Sequence, residues 1–164
     1  MVSIVIDEVV LRQLSPAARR EVLRVVGTEL SRLRAGLTDI EWDPEGDMSY
    51  PLTVDEAKIL VRGLQGAPRE ILRTFAQNFD GDAGHGELHA LLAAAKFSDY
   101  RELGEEISRI TAQMQSVAGQ SGAWLFNWDA DDWAWDAEAD NYAKGAYYIS
   151  GPAIHTLREA FGIE

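Results

Sequence analysis

The sequence predicts a mainly α-helical fold with a small β-hairpin, that is, an α+β protein. Apolar residues recur at three- and four-residue spacing through most of the chain, which is the pattern of helices with one buried face. After Gly122 the apolar period changes to two, which is the pattern of a half-buried strand. A length of 164 residues, 46% of them hydrophobic, suits one compact domain with an added arm.

We divide the chain into an N-terminal strand–helix arm (1–36), an acidic linker (37–52) and a domain (53–164). The arm begins with the β-branched run VSIVI, which predicts a short strand. Ser15 as N-cap and Pro16 at the first helical position predict a helix that ends at Gly36. The linker has two prolines and many acids but no base, which is typical of an exposed connection.

Four helices are expected in the first part of the domain. Thr53 and Glu56 form a capping box at the start of the first helix, which ends near Gly66. Pro68 opens the second. We expect the segment DGDAGHG to be a turn, followed by a short helix, GELHALLAAAK. Ser98 is expected to cap the longest helix. The apolar stripe of this helix consists of Leu103, Ile107, Ile110, Met114 and Val117.

The C-terminal third contains the predicted hairpin. The alternating segment WLFNW forms one strand, AYYIS forms the other, and Pro152 begins a closing helix. The long connection between the strands carries Trp133 and Trp135 among acids. Two interpretations stay open: the segment DDWAWD forms a further strand whose tryptophans fold back onto the core, or the two rings are exposed to a partner.

The segments REILRTFAQN, GELHALLAA and YRELGEEISRITAQMQ are followed by the hairpin strands WLFNW and AYYIS. In this order they resemble a bacterial winged helix-turn-helix domain over residues 54–161. The resemblance rests on order and spacing and not on an invariant signature. It implies a winged-helix-like domain in a transcription regulator, whose third helix enters the major groove while the wing touches the DNA backbone.

The resemblance provides candidate DNA contacts, but the charge balance opposes them. The candidates are Arg62, Arg69 and Arg73 for phosphates, and Arg101 and Arg109 of the long helix for bases. Phosphate binding needs clustered bases, yet the formal net charge is −12, and residues 122–143 carry six acids without a base. We therefore keep sequence-specific DNA binding as the alternative function, and mimicry of DNA or inhibition of a basic partner as a second alternative.

The leading expectation is a regulatory or interaction protein that is not an enzyme and acts through protein contacts. Tryptophan is enriched in interface hot spots, so Trp133 and Trp135 are candidate contact residues. The arm carries six arginines against four acids. Its helix, with Arg20 and Arg24, is expected to support self-association, and we expect a homodimer.

No metal or cofactor is expected. His85 and His89 stand four residues apart and are candidate zinc ligands if a helix has begun by His85, but the glutamate of the H-E-x-x-H signature is missing. The chain has no cysteine. It also lacks a phosphate loop, a G-x-S-x-G motif and any apolar run long enough to span a membrane. Without a signal-peptide pattern, the expected location is cytoplasmic.

Overall fold

The structure, a computed structural model, describes Ala18 and residues 48–163. These residues form a helix-rich α+β fold with a small antiparallel sheet, which is compatible with a winged-helix shape. The helices are α1 (Val54–Gly63), α2 (Ala67–Gln77), α3 (Leu88–Ala95), α4 (Tyr100–Ala118) and α5 (Pro152–Phe161). The strands are β1 (Ala83–Glu87), β2 (Asn127–Trp128), β3 (Ala134–Asp136), β4 (Asn141–Lys144) and β5 (Ala146–Ser150).

The helix starts follow the local sequence closely. At α1 the Thr53 hydroxyl accepts the N–H of Glu56, and the Glu56 carboxylate accepts the N–H of Thr53, so the predicted capping box is confirmed. α2 and α5 both have proline in the first turn, as expected. The cap of α4 is one residue later than predicted: Asp99, not Ser98, accepts the N–H of Arg101. Asp99 has an extended backbone and directly precedes the first helical residue, so its carboxylate is placed to accept an N–H of the first turn.

The predicted turn at DGDAGHG is the main error in the fold prediction. Its second half is strand β1, which pairs antiparallel with β5. Gly84 and Gly86 permit the strand to approach α2 closely. A Cβ at Gly86 would lie 2.6 Å from Cε1 of Phe75. The glycines therefore serve close packing here and do not mark a turn.

Two small sheets stand in place of the single predicted hairpin. The first has the order β1-β5-β2, with all pairs antiparallel. The second is a hairpin of β3 and β4, in the segment that the sequence left open as a further strand or a loop. Of the expected strand WLFNW, only Asn127 and Trp128 are strand residues.

One hydrophobic core joins the helices to the first sheet. In the α4 stripe, Leu103, Ile110 and Met114 are buried, while Ile107 and Val117 are partly exposed. Among the described residues no helix combines the length and the apolar character that crossing a membrane requires. Ala18 is helical, in the range where the arm helix is expected. The other residues of the arm and residues 37–47, with the predicted contacts Arg20 and Arg24, lie outside the described residues.

Candidate functional site

An open groove of about 710 Å³ lies between α4 and the strands that follow it. Its helix wall is one face of α4, because the lining positions follow helical spacing. That wall consists of Tyr100, Arg101, Gly104, Ile107 and Thr111. The opposite wall belongs to the segment 124–147. It consists of Trp124, Phe126, Trp128, Ala130, Trp133, Trp135, Tyr142 and Tyr147. Since most of these side chains are aromatic, we call this site the aromatic groove.

The rings of the groove form a continuous series of contacts that reaches the hydrophobic core. From the core outward the members are Phe75, Phe126, Tyr147, Trp133, Tyr142 and Trp135. Neighbouring centroids are 4.9–6.5 Å apart, and from Phe126 outward the contacts are edge-to-face. Each such pair contributes about 0.5–1.5 kcal/mol beyond the burial of its area. The groove wall is therefore anchored to the core and does not depend on the short strands alone.

Trp133 is the inner tryptophan of the connection between β2 and β5. It packs against the core, and its ring lies over the backbone of Gly145, where a Cβ would come within 2.6 Å of Cζ3. Its indole Nε1 is buried and has no hydrogen-bond partner within the described part of the chain. The ring is thus held by shape and aromatic contacts. This answers the open question for Trp133: it folds back onto its own domain.

Trp135 and Trp128 behave differently, because each leaves much of its ring in solvent. Trp135 is 46% exposed and Trp128 is 63% exposed. Trp135 contacts Tyr100 and Tyr142 at the rim of the groove. Large exposed rings at the edge of an apolar groove are typical of a binding surface. The predicted contact residues therefore divide into one packing residue, Trp133, and one rim residue, Trp135.

Arg101 connects the start of α4 to the β3–β4 turn. Its guanidinium donates to Asp99 at 2.9 Å and to Asp140 at 3.2 Å, and its Cζ lies 5.0 Å from the ring centroid of Tyr100. The backbone N–H and the guanidinium of Arg101 lower the pKa of Asp99, and the hydrogen bond to Asp99 raises the pKa of Arg101. Asn141 adds a weak second link, donating to the Ser98 carbonyl at 3.4 Å.

The chain segment that supplies Ala130, Trp133 and Trp135 to the rim of the groove is acidic. The segment from Asp129 to Asp140 carries six carboxylates and no base. Two of them cap turns: Asp129 accepts the N–H of Asp131, and Asp136 accepts the N–H of Glu138. The other members are Asp131, Asp132, Glu138 and Asp140. Only Asp140 forms an ion pair with a base within residues 48–163. This segment thus carries a net negative charge, which bases of residues 48–163 neutralise only at Asp140.

The five predicted DNA contacts do not form a free basic surface. Three of them are paired with neighbouring carboxylates: Arg73 with Glu70, Arg101 with Asp99 and Asp140, and Arg109 with Glu106. Arg69 donates to the Val61 carbonyl and approaches the ring of Phe161. The fifth, Arg62, is exposed in the last turn of α1.

The two candidate zinc ligands lie on different elements, so the condition for a shared helix face is not met. His85 is in β1 and His89 is in α3. His85 Nε2 lies 2.9 Å from Asp80 Oδ2. Partial burial would raise the pKa of Asp80, but N–H groups of Ala83 and Asp82 together with His85 lower it. Among the described residues no group of three or more His, Asp or Glu side chains is arranged to hold a metal ion.

No protein-family model matches this chain, and no curated protein or solved structure is significantly similar to it. The description of the aromatic groove therefore rests on the geometry of this chain alone. Sequence reasoning identified Trp133 and Trp135 but missed Tyr100, Gly104 and Tyr142 as lining residues. The spacing of Tyr100, Gly104 and Ile107 does indicate one helix face. However, only the position of the β3–β4 hairpin shows that residues 48–163 leave this face uncovered.

Proposed function

We propose that this protein is a non-enzymatic interaction protein of the winged-helix type, which acts mainly through protein contacts, including self-association, at the aromatic groove. The observation that carries the proposal is the exposure of Trp128 and Trp135 on one open groove, where a partner would cover them. The groove volume of about 710 Å³ is large enough to receive side chains of a partner. Because Trp133 anchors the wall to the core, the site is preorganised before a partner binds.

The winged-helix part of the proposal is supported by the order of the elements. From α2 onward the chain runs through strand β1, a short helix, a longer helix and two further strands of the same antiparallel sheet. Apart from β1, this is the order of helices and strands on which the resemblance rests. The β3–β4 hairpin is an addition between those two strands, and it supplies Trp135 and Tyr142 to the groove.

The protein-contact proposal is tested by the double variant Trp128→Ala, Trp135→Ala in the full chain. Its matched control is Ile59→Ala, which removes an equally exposed apolar side chain (55%) on α1, outside the groove. Molar mass is measured by light scattering over a range of protein concentrations. We expect the wild type and the control to self-associate and the double variant to stay monomeric. A wild type that is monomeric at every concentration would refute self-association.

Contacts with other proteins are tested with a photo-crosslinking phenylalanine analogue placed at position 135, and at position 59 as the control. Partner adducts formed from position 135 alone are expected. They should disappear when Gly104→Trp fills the groove in the same chain. Adducts that persist in the filled variant would place the contact elsewhere and contradict the proposed site.

Sequence-specific DNA binding is kept as the alternative because of the winged-helix order alone. It predicts a shift of random duplex DNA in a mobility assay at about 50 mM salt, where nonspecific affinity is strongest. We expect no shift at micromolar protein, since three of the five candidate arginines are engaged by carboxylates. A shift that Arg62→Ala weakens would instead favour the DNA-binding alternative.

A further inference from the structure

We propose that the aromatic groove binds a basic side chain, arginine or lysine, presented by a segment of a partner protein. This inference rests on the proposed function, because it names the chemistry of the partner at the same site. Three observations support it: the arrangement of the rim rings, the charge around them, and a guanidinium of the chain itself that already lies against one ring.

The rings of Tyr100, Trp135 and Tyr142 are nearly perpendicular to one another. The interplanar angles are 90° for Tyr100 and Trp135, 87° for Tyr100 and Tyr142, and 85° for Trp135 and Tyr142. A cation that approaches two of these rings edge-on therefore meets the face of the third. A ring face carries negative electrostatic potential and attracts a cation within about 6 Å of its centroid. A cation at this rim is thus attracted to at least one face.

Arg101 provides an example of this contact within the chain. Its Cζ lies 5.0 Å from the ring centroid of Tyr100, while two carboxylates hold the guanidinium in place. The rim is therefore compatible with a guanidinium next to its rings. Arg101 occupies part of the surface of Tyr100, so a ligand cation is expected to lie against Trp135 and the neighbouring rings.

The charge at the rim favours a cation over an anion. Among the described lining residues Arg101 is the one base, and its charge is offset by Asp99 and Asp140. Asp131, Asp132 and Glu138 are exposed, and none of them is in an ion pair with a base of residues 48–163. With a net charge of −12 over the whole chain, an approaching anion is repelled and an approaching cation is steered to the site.

The interior of the groove favours a protein segment over an isolated cation. Ile107 and Phe126 line the groove beyond the rim and offer apolar surface. The stem of arginine or lysine, and an apolar residue next to it, cover such surface while the charged end stays at the rim. The volume of about 710 Å³ is larger than one such side chain fills, so neighbouring residues of the segment are expected to enter as well.

The probe for the test is a short capped peptide of alternating arginine and leucine residues, added to the full chain and followed by tryptophan fluorescence and calorimetry. The control peptide has citrulline in place of every arginine. Citrulline keeps the planar shape and most of the hydrogen-bonding groups but has no charge. We expect the citrulline peptide to bind at least about fivefold more weakly, which corresponds to a modest cation–π contribution.

Protein variants show whether the binding occurs in the groove. Gly104→Trp fills the groove from the helix wall, where a Cβ meets no other atom within 4 Å. The matched control, Ser116→Trp, adds the same ring at an exposed position of α4 that is not among the lining residues. Trp135→Ala removes an exposed rim ring and serves as a second variant if Gly104→Trp does not fold. Asp131→Lys reverses one rim charge, with Asp82→Lys as a control of equal charge change outside the groove.

Three results together would support the proposal. Gly104→Trp abolishes binding of the arginine peptide, Asp131→Lys weakens it more than Asp82→Lys does, and the citrulline peptide binds more weakly. Equal binding of the two peptides in the groove would overturn the preference for a cation and leave the protein-contact function standing. No binding of the arginine peptide at millimolar concentration would also overturn it. Binding that is insensitive to both Gly104→Trp and Trp135→Ala would show a charge effect unrelated to the groove.

Discussion

Gly145 and Trp133 are in direct contact: the indole ring of Trp133 lies over the backbone of Gly145, with no room for a side chain between them. A Cβ at position 145 would lie 2.6 Å from Cζ3 of the ring and 2.7 Å from Cδ2. Gly145 also separates β4 from β5, and its carbonyl accepts the N–H of Leu88 at the start of α3. One glycine thus links the position of Trp133 to the junction between the two sheets.

Gly145→Ala is expected to displace Trp133 and to lower the free energy of unfolding by about 1–3 kcal/mol, because the added methyl group overpacks the site. Urea denaturation measures the loss, and near-UV circular dichroism reports the change around the ring. The control is Gly104→Ala, where a Cβ meets nothing. There we expect an increase of about 0.5–1 kcal/mol, since alanine is the better helix former. Equal effects of the two changes would contradict this account of Gly145.

Trp133 and Trp135 are expected to respond differently to truncation. Trp133→Ala removes a ring packed against the core and is expected to cost about 2–4 kcal/mol of unfolding free energy. Trp135→Ala removes a ring that is 46% exposed and is expected to cost less than about 1 kcal/mol, while weakening any contact made at the groove. Urea denaturation of both variants is the measurement. A larger loss for Trp135 would show that the burial is assigned to the wrong ring.

The ion pair between Arg101 and Asp140 is expected to hold the β3–β4 hairpin against α4. Asp140→Asn removes the charge and keeps a residue that tolerates the positive φ of 49° at this position. We expect faster amide hydrogen exchange in β4 and little change in the core helices. Arg101→Gln should have the same effect, and the double variant should add little. Additive effects would mean that the two side chains act independently.

His155 is expected to make stability depend on pH. Burial lowers its pKa below the ordinary value of 6.5, with the nearby charge of Arg158 acting in the same direction. The unfolded chain therefore binds a proton at higher pH than the folded chain does. The stability that depends on a neutral His155 is complete above pH 6.5, and it is lost as the pH falls from there toward the pKa of His155 in the folded chain.

The matching variant is His155→Phe, which keeps an aromatic ring opposite Phe79 but cannot titrate. Thermal or urea unfolding of both proteins is compared above and below pH 6.5. The wild type is expected to lose more stability on acidification than the variant does. Parallel pH profiles would show that protonation of His155 does not oppose folding.

Local sequence was sufficient for most of the helices. The capping box of Thr53 and Glu56, the prolines at the starts of α2 and α5, and the stripe of α4 depend on residues within a few positions of each other. Such short-range interactions are expressed in the sequence pattern itself. The prediction of a turn was wrong at β1, because the two glycines that are typical of a turn serve close packing of a strand there.

Only the tertiary structure decided the sheet and the groove. Gly84 and Gly86 belong to a strand because they pair with Ile149 and Tyr147 of β5, which lie far along the chain. Phe75 and Ile154 leave no room for side chains at the two positions. Trp133 is held inward because Gly145 makes space for it, while Trp135, two residues along, stays at the rim. By itself the sequence determined that tryptophans and acids stand together. Which rings support the core and which line an open groove depends on long-range contacts that no local pattern contains.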